Sequence, residues 1–222
     1  MIGLLRNNRG FLCFLLLLGI FRTAVADWNP IPSGSMHPTL LEGDVVFVNR
    51  LAYDLKVPLT DRILVQLGEP QRGDVVTFTS PTDGTRMIKR LVAIPGDTVE
   101  MRNKVLIING EVAAYSPLTQ DFPDIASDAP WQVVQRTESL AGSERPVQWL
   151  DHAPARDNFG PITLAPATYW MLGDNRDNSA DSRYIGAVPR EKLIGKAVRV
   201  LVSADILANW LPRWERLFTP LV

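Results

Sequence analysis

Cysteine is nearly absent from this 222-residue chain: its one thiol, Cys13, sits inside an apolar run. A disulfide framework is therefore excluded, and so is a metal centre built on cysteines. Histidine is almost as scarce. His37 and His152 are the two, and they can at most supplement other metal ligands. An excess of one charge is also missing. Lys and Arg number 23 against 24 Asp and Glu, a formal net charge of −1, which gives no electrostatic case for a nucleic-acid partner. A long hydrophobic run is lacking too. The stretch Phe11 to Phe21 has eleven residues, short of the roughly 20 that a spanning helix needs.

Proline and glycine, by contrast, are plentiful, at 17 and 15 residues. That many chain-turning residues point to short elements and a mainly β fold. The 46% apolar fraction is enough for a substantial core. Arg6 and Arg9 precede the apolar run, and Arg22 and the small-x-small ending Ala24-Val25-Ala26 follow it. This is the order of a secretory signal. Counted from Ile2 to Ala26, with the arginines reaching out to the interface, it also serves as an anchor. The expected layout is a short cytoplasmic segment (1–9), a single-pass signal-anchor helix (10–26), and the rest outside the inner membrane, on its periplasmic side.

Beyond the anchor, Asp44–Val48, Asp74–Thr79 and Arg86–Ile94 are rich in β-branched and apolar residues and read as strands. Asp97–Gly110 reads as a hairpin turning near Asn103-Lys104, with a second turn at Asn109-Gly110. Thr168–Asp174 and Gly195–Val202 read as late strands. The pattern weakens between Tyr115 and Pro166, and no fixed-period repeat appears. This predicts a main β domain (27–100 and 168–222) with a smaller inserted β subdomain (101–167). The tail sets Leu207, Leu211, Trp214 and Phe218 at helical spacing, with Trp210 alongside and Pro212 as a kink or start. Such a helix rests on a bilayer or packs on the sheet.

Three short stretches carry chemistry. The loop Ile31–Leu40, "IPSGSMHPTL", holds two serines around a glycine. A nucleophilic serine needs an exposed hydroxyl, a base in reach and donors for the oxyanion. Ser35 can attack, and its own N–H with the Ser33 hydroxyl can face the oxyanion. An ordinary polar turn is the alternative. For the base, His37 lies two residues from Ser35, on the other face of an extended segment, with nothing nearby marking a carboxylate partner. Both histidines read as plain surface residues, so a Ser-His-Asp triad has little support. Lysine is a base only when neutral, which burial favours. In Arg86–Ile94, alternation groups Met87, Lys89, Leu91 and Ala93 on one face and puts Arg86 and Arg90 on the other. Lys89 is then the one charge on an apolar face, unless it reaches solvent at a strand edge.

The third stretch is the polar run Gly173–Arg183, "GDNRDNSADSR". It does not fit a calcium loop: counted from Asp174, position 3 is Arg176, and counted from Asp177, the required Gly and final Glu are Ser182 and Val188. A solvated loop and a set of buried struts, with Asp181 paired to Arg183 and Ser179 near an amine, both remain open.

In this order and spacing, "PSGSMHPTL", "RGDVVTF", "MIKRLVAIPGDTVE" and "GDNRDNSADSR" resemble the four boxes of the bacterial type I signal peptidases, the Ser/Lys leader peptidases. The resemblance covers about Asp27 to Val202. It implies Ser35 as nucleophile, Lys89 as general base and then acid, Ser33 with Ser35 as oxyanion hole, Ser179 as the residue positioning the lysine, and Asp181 with Arg183 as a supporting pair. It implies a mainly β fold, an antiparallel β catalytic domain with a smaller inserted β subdomain, and a substrate pocket walled by Ile31, Pro32, Met36, Met87 and Ile88. The implied partners are preprotein signal peptides ending in an A-x-A motif and membrane lipid, with no metal or cofactor. Met87 stands where some relatives carry an aromatic residue. Two other readings are a specialised peptidase maturing a pilin or conjugation protein, and a non-catalytic anchored peptide-binding module. Thr23–Ala26 itself resembles such a substrate, so self-cleavage after Ala26 is an expectation.

Overall fold

The computed structural model describes residues 8–58, 60, 62–118 and 131–221. Its frame is a seven-stranded sheet in which every pairing is antiparallel. The order is Ala26–Pro30, Asp44–Asn49, Leu193–Ser203, Val75–Thr79, Arg86–Ala93, Thr168–Leu172 and Val188–Pro189. The Val- and Ile-rich stretches form its inner strands, because side chains on both faces are covered. Val46, Val48, Val76, Phe78 and Leu91 are fully buried. Arg90, assigned by alternation to the face opposite Lys89, is not solvated there. It is 1% exposed and ion-paired.

The hairpin expected at Asp97–Gly110 is present, as Thr98–Arg102 and Val105–Ile108. Asn103 and Lys104, at φ 49° and 68°, make its turn, the left-handed pair that a two-residue hairpin requires. It belongs to a four-stranded sheet with Glu111–Val112 and Phe159–Thr163. A three-stranded sheet follows: Ala114–Ser116, Val133–Leu140 and Ser143–Leu150. Its two eight-residue strands lie where the sequence pattern is weak, since charged residues such as Glu138 and Arg145 occupy inward positions.

Two expectations are corrected. The tail is not a helix. After the last long strand it runs through turns, isolated bridges at Ala204–Pro212 and Arg199–Pro220, and one 3₁₀ turn, Trp214–Arg216. Trp210 and Phe218 take φ of 59° and 56°, which no right-handed helix contains. Buried Arg216 pins the segment by bonding the Asp44 carboxylate and the Thr39 carbonyl, and Arg213 bonds the Glu42 and Ala204 carbonyls. Nor is His37 a surface residue: it is 7% exposed and bonded to Glu42, whereas His152 is exposed.

At the N-terminal end, the helix Arg9–Ala24 leaves Phe11, Phe14, Leu17 and Phe21 exposed. Among the described residues no helix is long and apolar enough to cross a membrane. The strand from Ala26 follows directly. Ala26 is buried and paired with Asn49, and buried Asp27 is ion-paired to Arg22, Arg50 and Arg86. Cleavage after Ala26 therefore requires this edge of the sheet to open.

Candidate active site

Two elements meet at the site. Ser33 is extended and leads into the short 3₁₀ turn Gly34–Met36, which presents Ser35. The strand Arg86–Ala93 supplies Lys89, whose neighbour in register is Val76. The Lys89 Nζ lies 2.7 Å from Ser35 Oγ and 2.9 Å from the Ile88 carbonyl. Lys89 is 4% exposed, with one polar end on an otherwise apolar face. Burial lowers its pKa from 10.5 to about 8, while the charges of Asp181 and Asp174 pull the other way. A good fraction of the amine is then neutral near pH 8 and able to accept the proton of the hydroxyl it touches. The Ser33 hydroxyl stands 3.5 Å from Ser35 Oγ, at the exposed mouth of the turn.

The turn is held from below by the polar run. Asn175 donates its side-chain amide to the Gly34 carbonyl at 3.0 Å and its backbone N–H to the Ser35 carbonyl at 3.2 Å. The Asp174 carboxylate takes both Nε and Nη2 of Arg90, at 2.9 and 2.8 Å, and accepts the Thr39 hydroxyl. One carboxylate thus ties the serine loop to the lysine strand. Asp181 and Arg183 form a buried bidentate pair at 2.8 and 2.9 Å, and Asp181 also accepts the Gly173 N–H. Arg176 reaches into the small sheet, where both its terminal nitrogens bond Glu138, which also takes Arg145 Nε. Burial of Glu138 pushes its pKa up, but the two guanidiniums more than offset this and hold the carboxyl well below its ordinary range.

Ser179 makes no hydrogen bond to Lys89. The Ser179 hydroxyl is buried and has no hydrogen-bond partner among the described residues. It lies over Gly173, where an added Cβ would stand 2.3 Å from it and 2.5 Å from the Ser35 carbonyl. That crowding allows only glycine at 173. The five expected pocket residues are distributed over two apolar clusters and the surface. Ile31, Met36 and Ile88 share one apolar cluster, with Ile31 and Met36 buried; Met87 packs on another, beside Tyr53 and Leu91; Pro32 is exposed.

Sequence reasoning did not single out Asp174, Asn175, Arg90, Thr39 or Glu138. Asp174 and Asn175 lie inside the polar run, whose dense hydrogen-bonding capacity is the signal that marks them. Glu138 had no signal, because its partners are 7 and 38 residues away in sequence.

A mainly antiparallel β chain that sets a loop serine against a buried amine has the parts of a serine hydrolase. Residues 5–202 match the family model described as signal peptidase, peptidase S26. The signal peptidase I of Pseudomonas fluorescens is 35% identical over 226 residues, covering 96% of this chain and 78% of that protein. That of Pseudomonas aeruginosa is 34% identical with the same coverage. That of Aquifex aeolicus is 32% identical over 224 residues, covering 87% of this chain and 83% of that protein. The chain belongs to the signal peptidase I family of S26 serine peptidases, and it is a hydrolase.

Proposed function

We propose that this chain is a membrane-anchored endopeptidase that removes signal peptides from exported preproteins after an A-x-A-like ending, using Ser35 and Lys89 as a dyad. The observation that carries the reading is the 2.7 Å contact between Ser35 Oγ and the buried Lys89 Nζ. Neutral Lys89 takes the Ser35 proton as Oγ attacks the carbonyl carbon of the final small residue. The oxyanion so formed accepts hydrogen bonds from the Ser35 N–H and the Ser33 hydroxyl. As the tetrahedral intermediate collapses, the Lys89 ammonium gives its proton to the leaving amine, and the mature protein departs. Water then loses a proton to Lys89 and attacks the acyl ester; as the Ser35 Oγ–acyl bond breaks, the Lys89 ammonium returns that proton to Oγ, which releases the signal peptide and restores Ser35 and neutral Lys89.

The substrate would lie as an extended strand. Arg86, Met87 and Ile88 pair with Val75–Thr79 on one side, while Thr168–Leu172 pairs only with Arg90 and beyond on the other. The edge next to Lys89 is thus open to a peptide backbone, and strand addition supplies main-chain bonds. Asn29, on the outer strand, bonds Arg86 across this opening at 2.9 Å.

The same reading places the domain on the outer face of the inner membrane, with the helix Arg9–Ala24 as anchor. Its apolar side chains stand exposed all round, and Arg9 and Arg22 bracket them. The tail adds exposed Leu207, Trp210, Leu211, Trp214 and Phe218, three aromatic rings and two leucines suited to headgroup depth.

The test is cleavage of an A-x-A preprotein in liposomes by wild type, Ser35→Ala and Lys89→Ala. Cutting after the final Ala by wild type alone, with folded variants, supports the reading. Full activity of Lys89→Ala removes the dyad, and failure of the wild type removes the substrate assignment.

A further inference from the structure

Glu42 and His37 form a buried pair that the mechanism above does not use. His37 Nε2 lies 2.6 Å from Glu42 Oε2, and both side chains are largely shielded, at 9% and 15% exposure. The pair packs directly against Gly34. A Cβ built there would stand 2.8 Å from Glu42 Oε1 and 2.8 Å from His37 Cε1, so the carboxylate and the ring fill the space beneath that one residue. Gly34 separates the two serines, and its carbonyl shares a peptide plane with the Ser35 N–H. Two donors draw that carbonyl inward, the His37 N–H at 3.1 Å and the Asn175 amide at 3.0 Å. In a trans peptide the N–H points the opposite way, toward the substrate side. The donors fix the plane at its carbonyl end; the pair blocks the Cα end from sinking.

We infer that Glu42 and His37 are positioning residues for the oxyanion hole: together they hold the Gly34–Ser35 peptide so that its N–H faces the developing oxyanion. The inference rests on the serine-peptidase reading above. Glu42 is a carboxylate, and its environment keeps it so. Burial pushes its pKa up, but the His37 bond and charge, with Arg213 nearby, outweigh this and hold it below the ordinary value. The His37 Nε2 therefore donates. Arg213 bonds the Glu42 carbonyl at 2.9 Å and fixes the backbone from which the carboxylate projects.

The test compares Glu42→Ala, His37→Leu and their double variant with the conservative Glu42→Gln and His37→Gln, which keep the bulk and the acceptor or the Nε2 donor. A tilted oxyanion donor lowers kcat, so the two truncations are expected to reduce kcat about tenfold, with KM within about twofold and unfolding temperature little changed. The conservative variants should keep at least half of the wild-type kcat, and the double variant should be no worse than either single. Unchanged kcat in the truncations, a loss confined to KM, or conservative variants as damaged as the truncations would each overturn the inference. A second readout does not need turnover: the amide resonance of Ser35 in a ¹⁵N-labelled chain in micelles. A shift at Ser35 in Glu42→Ala supports the positioning role, and shifts confined to residues 37 and 42 refute it. If the wild type cleaves nothing, the functional reading falls, and the Ser35 amide still decides the geometry.

Discussion

The base role proposed for Lys89 makes the sharpest prediction, and pH is its perturbation. Folding moves the Lys89 pKa from 10.5 to about 8 by burial. That difference corresponds to about 3 kcal/mol against the ammonium form. At pH 7 it raises the neutral fraction from about 0.03% to about 9%, roughly 300-fold. The value of kcat/KM on a neutral-flanked signal peptide should therefore climb tenfold per pH unit below 8 and level off above it. The assay is initial rates from pH 5.5 to 10 in one detergent at fixed ionic strength. An inflection near 6.5 would hand the base role to an imidazole, and one near 10 would mean that the amine is solvated; either refutes the argument. Stability gives an independent check of sign. Between pH 8 and 10.5 the unfolded chain binds the extra proton, so stability rises with pH over that window by up to about 3 kcal/mol. Lys89→Met abolishes that cost at pH 7 and should unfold no lower than wild type while remaining inactive.

Three further outcomes follow from contacts. Gly173→Ala forces a Cβ to within 2.5 Å of the Ser35 carbonyl; moving that backbone should cut kcat at least about 100-fold in a folded protein, checked by rates and circular dichroism. Glu138→Ala strands two buried guanidiniums, Arg145 and Arg176, and should cost about 3–5 kcal/mol, read as a fall of roughly 10 °C in Tm by calorimetry. Trp210→Ser with Trp214→Ser removes two rings that are each 72% exposed; turnover in detergent should stay unchanged, while turnover on anionic liposomes falls severalfold.

The legible parts of this fold were those with local causes. Val and Ile runs formed strands because their side chains pack a pleated face, and Asn103-Lys104 made a turn because both residues accept positive φ. Lys89 could be suspected from alternation alone, since a strand fixes which residues share a face. The tail misled because helical spacing is only a pattern. Its arginines found better partners, Arg216 at Asp44 and Arg213 at the Glu42 carbonyl, over 170 residues away. His37 misled for a related reason: its carboxylate, Glu42, lies five residues on and meets it only because the chain turns between them.

By itself the sequence determined the β class and the family to which the four boxes belong, and it marked Ser35 and Lys89 as the pair to examine. These rest on residue type and short-range order, which survive in a string of letters. Only the tertiary structure decided that Lys89 Nζ touches Ser35 Oγ across 54 positions, that Asp174 joins the two elements through Arg90, and that Ser179 stands over Gly173 without a bond to the amine. Burial is a property of the whole packed chain, and burial moves the lysine pKa and leaves buried carboxylates such as Asp174, Asp181 and Glu138 dependent on their arginines.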